Sequence, residues 1–471
     1  MTVLKSLNRA TVNDQITARP VKVLQFGSGN FLRGFADWII DIMNEKTDFN
    51  GAVQIIQSVS QDTSLNDQQG LYHVVVNGLK NNKPFNETRL VTCVVGAMSP
   101  DKNMEAFLKL AENPELEFII SNTTEAGIIV KESDASVQEL SATFPGKLTQ
   151  LLHHRFEIFR GTKPLIIVPC ELIANNGEEL KKAILQYAKQ WKLSASFVEW
   201  VNQNTFCNTL VDRIVPGAPK ENLQEINHRI GFDDKLIVTA EPFHLWVIEG
   251  PEIVKQRFPA DKAGLDVKFV ADHNPYRIRK VRILNGAHTA LVPVAYLYGL
   301  RTVRESIENN FTGPFIKKII YEEIIPTLDL PPEELKQFAD DTIERFLNPY
   351  IRHELISIAL NSISKFKYRV VPTILEYHKR TGQLPKHILF SLSALIVFYK
   401  GEWKGLPIKL QDTPDVLEFF KQTWNGRNAQ DAVETVLSNT TLWGTDLTQL
   451  PGLTTMIKES IHYIESEAFG K

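Results

Sequence analysis

Three residues in the stretch RKVRILNGAH (279–288) could carry proton and hydride chemistry. Lys280, Asn285 and His288 form a K-x-x-x-x-N-x-x-H spacing. On an α-helix of about 100° per residue, Lys280 and His288 lie about 80° apart, with Asn285 about 60° beyond His288, so all three can face one cleft. Hydride transfer between a carbinol and a nicotinamide needs a base for the hydroxyl proton and donors for an alkoxide-like oxygen. A lysine of lowered pKa can be that base, and an amide and an imidazole can be those donors. The same spacing also describes a surface lysine, an Asn-Gly helix cap and a core histidine, so on its own it leaves both readings open.

A second polar group interrupts the apolar run NTFCNTLVDRIVPG (204–217), where Asn208 precedes the Asp212-Arg213 dipeptide. Asp-Arg there reads as a structural ion pair. A third stretch, VKVLQFGSGNFLRGF (21–35), has a strand-like apolar run, Gly27 and Gly29 one residue apart, and then a helical spacing of Phe31, Phe35, Trp38, Ile39 and Met43. In a dinucleotide-binding turn the first glycine allows the tight exit from the strand and the second lets a pyrophosphate approach the backbone. Leu32 occupies the position of the third glycine. The acidic residue that usually ends the second strand is missing: Gln57 stands there and Asp62 follows a few residues late, which leaves the choice between NAD and NADP open.

The elements that must position these residues fall into two textures. Strand candidates at 21–26, 52–60, 90–96, 118–124 and 164–172 alternate with helical stretches such as DKNMEAFLKLAEN, and KLIVTAEPFHLWVIEG (235–250) and VKFVAD (267–272) are further extended candidates. That alternation predicts an α/β Rossmann-like domain with a mostly parallel sheet. Beyond ADHNPY (271–276) long helix-period segments dominate. The expected organisation is a dinucleotide-binding domain over 1–272 and a mainly α-helical domain over 273–471.

With 52 basic against 55 acidic side chains, a net charge of −3 and no basic block, the chain lacks a nucleic-acid footprint. Its three cysteines show no C-x-x-C pairing, which argues against a cysteine zinc site and fits a reducing compartment. The most apolar stretch, ILFSLSALIVFY (388–399), is too short to span a bilayer and reads as a buried helix. The pairs His153-His154 and His353-Glu354 read as solvated polar residues, and no metal site is expected. A cytoplasmic protein with no membrane or nucleic-acid partner is expected.

Taken together these stretches resemble the mannitol dehydrogenase family, long-chain polyol dehydrogenases and reductases that work without zinc. FGSGNFLRGF is similar to the family's G-x-G-x-F-x-R turn, in which arginine replaces the third glycine, and SNTTEAGI (121–128) to its Thr-Glu segment. CELIANNGEELKKAI, FCNTLVDRIVPG and KVRILNGAH match three further motifs in the family's order. The resemblance implies an NAD(H) enzyme in which Lys280 is the general acid–base and Asn208 and Asn285 hold the reacting oxygen, while His288 orients substrate hydroxyls. It implies a cofactor turn lined by Gly27, Gly29, Asn30, Phe31 and Arg33, with Thr124 and Glu125 near the nicotinamide and Asp62 as the late acid. Lys365 stands where the family places a substrate-facing lysine. Ser357 replaces an arginine common in polyol members, and Arg277 replaces a glutamate. Those departures suit an anionic keto-uronate or aldonate, bound by Lys365 and Arg277, better than a neutral polyol. The rivals are another keto-uronate reductase or a hexitol dehydrogenase of the family, and a non-catalytic dinucleotide sensor. A monomer or weak homo-oligomer is expected.

Overall fold

The computed structural model describes residues 4–12, 16–57, 63–123, 127–219, 222–425, 429–466 and 468–469. Strand β1 (Val21–Phe26) sends Val23 into one apolar core and Leu24 and Phe26 into another. After the helix α1 (Trp38–Lys46), β2 (Ala52–Ile56), β3 (Val94–Met98) and β4 (Phe118–Ser121) follow; β4 divides in the same way, Phe118 and Ile120 against Ile119. This two-residue period, apolar on both faces, is what a sheet covered on both sides requires. Beyond the helix α2 (Phe144–Phe159) come β5 (Ile166–Pro169), α3 (Asn176–Gln190) and β6 (Thr205–Phe206). The strands pair in parallel in the order β3-β2-β1-β4-β5-β6. That is the strand order of a doubly wound dinucleotide fold, reversing between β1 and β4.

A second sheet joins β7 (Asn208–Asp212), β8 (Leu245–Glu249) and β9 (Val267–Val270). Two expected strands are split. LVTCVVG breaks at Thr92–Cys93, because both backbone N–H groups there donate to Asp41 Oδ1 (2.8 and 3.2 Å). The stretch 235–250 breaks after Val238–Ala240, and β8 begins only at Leu245, beyond Pro242.

The chain divides into two compact units, Met1–His273 and Asn274–Lys471. The second is helical: α4 (Asn274–Arg279), α5 (Ala287–Leu297), α6 (Pro332–Phe346), α7 (Ser362–Arg369), α8 (Lys386–Phe398) and α9 (Leu453–Glu465) are its main elements here. The apolar stretch 388–399 is the buried helix α8, packed against α5 and α9. Among the described residues no helix is long and apolar enough to cross a membrane.

The expected α-helix over 279–288 takes another form. Lys280–Gly286 winds as a π-helix between α4 and α5, so the angles of an α-helix do not apply to it. Arg33–Asp37 winds the same way ahead of α1. Such wide turns recur at functional sites.

Candidate active site

The chain leaves β1 through Gly27, at φ +123°, where an L side chain is strained. A Cβ there would lie 3.2 Å from the Asn122 carbonyl oxygen and 3.3 Å from Leu32 Cδ1. Leu32, at the third-glycine position, therefore packs directly beneath the turn. At Gly29 nothing lies within 4 Å of an added Cβ, so the backbone faces open space as a helical turn begins at Asn30. A tight exit, an open backbone and a helix start at the point where the strand order reverses suit a dinucleotide pyrophosphate.

Arg33 holds this turn from within. Its guanidinium donates to the carbonyls of Leu236 (2.6 Å) and Ser28 (3.2 Å) and to Asn30 Oδ1 (2.7 Å), and it lies over the Tyr72 ring. The expectation that Arg33 lines the cofactor turn becomes a bracing role, since its donors go to protein oxygens. Phe31 stacks on Phe35 at 5.0 Å. Asp62, Thr124 and Glu125 lie outside the described residues. Buried Glu171 accepts from the Thr123 N–H and hydroxyl (2.9 and 3.0 Å) and from the Ser121 hydroxyl (3.0 Å). Burial raises the Glu171 carboxyl, against the pull of those donors. Nothing in the motif CELIANNGEELKKAI marks Glu171 for this role.

Asn208 is fixed by the start of α3. Its Oδ1 accepts from the N–H groups of Gly177 (3.1 Å) and Glu178 (3.2 Å), which orients the amide. Its Nδ2 is thereby turned as a donor to Glu249 Oε1 (3.0 Å) and Glu178 Oε1 (3.4 Å). Glu249 is its direct cross-strand partner. The other oxygen of Glu249 accepts from the His273 backbone N–H (2.9 Å) and meets the His273 ring Nδ1 (2.6 Å). Burial pushes the Glu249 carboxyl up, but the His273 and Asn208 hydrogen bonds outweigh it and hold it below the usual range. Asp272 completes a group with ligand-type atoms within 4.8 Å of one another, one that residue spacing gave no reason to expect. Glu249 and His273 were missed; the available signal was a carboxylate closing the apolar run LWVIE.

In the helical unit Lys280 opens the π segment and Asn285 lies near its end, both half-buried. The Asn285 carbonyl accepts from the Thr289 hydroxyl (2.8 Å). His288 stacks on Phe346 (4.0 Å between centroids, 23°) and meets His353 edge-on (5.0 Å). Its Nε2 is sealed from solvent without a hydrogen-bond partner. Burial, then the charges of His353, Arg345, Arg369 and Lys365, hold the imidazole well below its ordinary pKa, so it is neutral at pH 7. The charge of Lys365 is felt at His288, and its Nζ donates to the Ile358 carbonyl (2.8 Å). Arg277 instead directs Nε and Nη2 to Asn274 Oδ1 (3.3 and 2.8 Å) at the start of α4.

Residues 21–262 match the Mannitol dehydrogenase Rossmann domain, and residues 272–465 match the Mannitol dehydrogenase C-terminal domain. This chain belongs to the mannitol dehydrogenase family. It is an oxidoreductase whose two halves both follow the family pattern. It is similar to the altronate oxidoreductase of Bacillus subtilis (strain 168), at 47% identity over 98% of this chain and 96% of that protein. The altronate oxidoreductase of Bacteroides thetaiotaomicron is 44% identical over 98% of both chains. In fold it resembles a substrate-free D-sorbitol dehydrogenase (TM-score 0.83, 23% identity, covering 97% of this chain and 96% of that one). Pseudomonas fluorescens mannitol 2-dehydrogenase, solved with NAD and D-mannitol, is a second fold relative (TM-score 0.70, 20% identity, 98% of both chains).

Proposed function

We propose that this member is an NAD-dependent tagaturonate reductase, interconverting D-tagaturonate and D-altronate, with 1–272 as the NAD-binding domain and 273–471 as the catalytic domain. The observation that carries this reading is the 47% identity to an altronate oxidoreductase along nearly the whole of both chains. When bound, NADH would supply the hydride to the ketone carbon in reduction, and NAD+ would accept it from the carbinol carbon in oxidation. Gly27 and Gly29 let the backbone approach the dinucleotide, with Arg33 keeping the turn rigid. Lys280 gives a proton to the nascent C5 alkoxide in reduction and takes it back in oxidation. Asn285 donates to that oxygen, and Asn208 would be the second donor once its longer contact, to Glu178 Oε1 (3.4 Å), is released. Neutral His288, whose Nε2 is buried without a protein partner, would have to expose that nitrogen to meet a substrate hydroxyl. Lys365 serves the anionic substrate; Arg277 would have to release Asn274 to join it.

Purified protein mixed with NADH and each of tagaturonate, fructuronate, tagatose and fructose tests the reading through NADH absorbance. Tagaturonate should have the highest kcat/KM. A higher value for any other member of the panel contradicts the assignment.

A further inference from the structure

The aromatic stack around His288 is bordered by three cations, and they are not equivalent. Arg345, buried at the end of α6, has other interactions within the protein. Lys365 donates to the Ile358 carbonyl and feels the carboxylate of Asp412. Arg369 differs from both. Among the described residues no hydrogen bond or ion pair engages its guanidinium, although the residue is half-buried.

Its place is fixed by the backbone. Arg369 ends α7 one helical turn after Lys365, so the two side chains share a face. The Arg369 carbonyl lies 3.3 Å from where a Cβ on Gly286 would sit. The absence of a side chain at 286 therefore lets the end of α7 close against the segment carrying Asn285 and His288. The charge of Arg369 is felt by both His288 and Lys365. Burial alone lowers the Arg369 pKa, and no described carboxylate pulls the other way. A guanidinium drawn partly out of water without an anion is unfavourable, and its planar fork matches a carboxylate with two parallel hydrogen bonds.

We infer that Arg369, assisted by Lys365, is the binding point for the carboxylate of the substrate, and so the residue that selects a sugar acid over the corresponding neutral sugar. This rests on the keto-uronate reading above and adds the residue that enforces it. The assignment differs from what the resemblance implied, because Arg277 has a local partner and, among the described residues, Arg369 has none.

The test compares wild type with Arg369→Ala and Arg369→Lys on tagaturonate, fructuronate, tagatose and fructose. The ratio of kcat/KM for each keto-uronate over its ketose should fall about 30-fold in Arg369→Ala, mostly through KM, as expected for loss of a charge-assisted pair. Added guanidinium should restore part of the ratio, and Arg369→Lys should lie between. NADH affinity and melting temperature monitor folding. An unchanged ratio, or an equal loss on acids and neutral sugars without guanidinium rescue, overturns the inference. Wild type that prefers fructuronate would sink the tagaturonate assignment alone, because the ratio is then read on fructuronate. Wild type that prefers the neutral ketoses overturns both.

Discussion

Arg33–Asp37 and Lys280–Gly286 wind alike, as π-helical turns entering a longer helix, and they are used in opposite ways. All five residues of the first are buried, and its charged ends face protein: Arg33 holds the glycine turn, and Asp37 accepts from Tyr72 (2.8 Å) and Gln25 (3.3 Å). The second leaves Lys280, Val281, Arg282 and Asn285 half-exposed. One wide turn thus supports a backbone that a ligand can approach; the other presents side chains. In the proposed reading the sheet unit binds through main chain at Gly27 and Gly29, and the helical unit acts through Lys280, Asn285 and His288.

Removing the side chain that should do the most is the strongest way to break this division. Lys280→Ala should lower kcat/KM for tagaturonate by about 10²–10⁴, the range of general acid–base catalysis, measured by NADH consumption. A loss of under threefold would remove Lys280 from the chemistry.

The backbone side of the comparison is sharpened by Gly27→Ala. A Cβ at φ +123° and 3.2 Å from the Asn122 oxygen should destabilise the fold by about 1–3 kcal/mol. Urea unfolding checks this, and an unchanged midpoint would mean the turn relaxes freely.

The two units also differ in the sign of the pH response of a buried group, Asp37 in the first and His288 in the second. Burial, opposed by the hydrogen bonds of Tyr72 and Gln25 and by Arg33, raises Asp37 from 3.8 to about 7. The folded state keeps a proton that the unfolded chain gives up, so this stability is lost as pH rises from about 4 through 7. Asp37→Asn should therefore raise the melting temperature more at pH 8 than at pH 5. His288 is shifted down by burial and by neighbouring positive charge. The unfolded chain accepts a proton that the fold refuses, so stability falls as pH drops below about 6.5. His288→Gln should help at pH 5 and not at pH 8, by at most about 1.4 kcal/mol per pH unit. His353 shifts down as well and adds to the same acid-side loss. Equal effects of either variant at both pH values would contradict the assigned protonation states.

Much of this was legible in the sequence. VKVLQF reads as a strand because a strand buried on both faces is a continuous apolar run, and 388–399 reads as a buried helix because it is apolar all round. The break at 271–276 falls where the two units meet, between His273 and Asn274. The remainder depends on distant partners. Seven residues are too few for hydrophobic spacing to distinguish a π turn from an α turn at Lys280–Gly286. The split of LVTCVVG is imposed by Asp41, some fifty positions earlier. The Asn208–Glu249 pair needs the β7–β8 register, and the cations near His288 arrive from α6 and α7. The motifs contain Asn208 and His288, but nothing in them shows what surrounds those residues.

The most direct measurement is a fluorescence titration of NADH into wild type, Lys280→Ala and Gly27→Ala, side by side. If the dinucleotide is held by backbone and the proton is moved by a side chain, Lys280→Ala binds NADH within about twofold of wild type, while Gly27→Ala binds about tenfold more weakly. Weakened binding in Lys280→Ala together with unaltered binding in Gly27→Ala would contradict that division of labour.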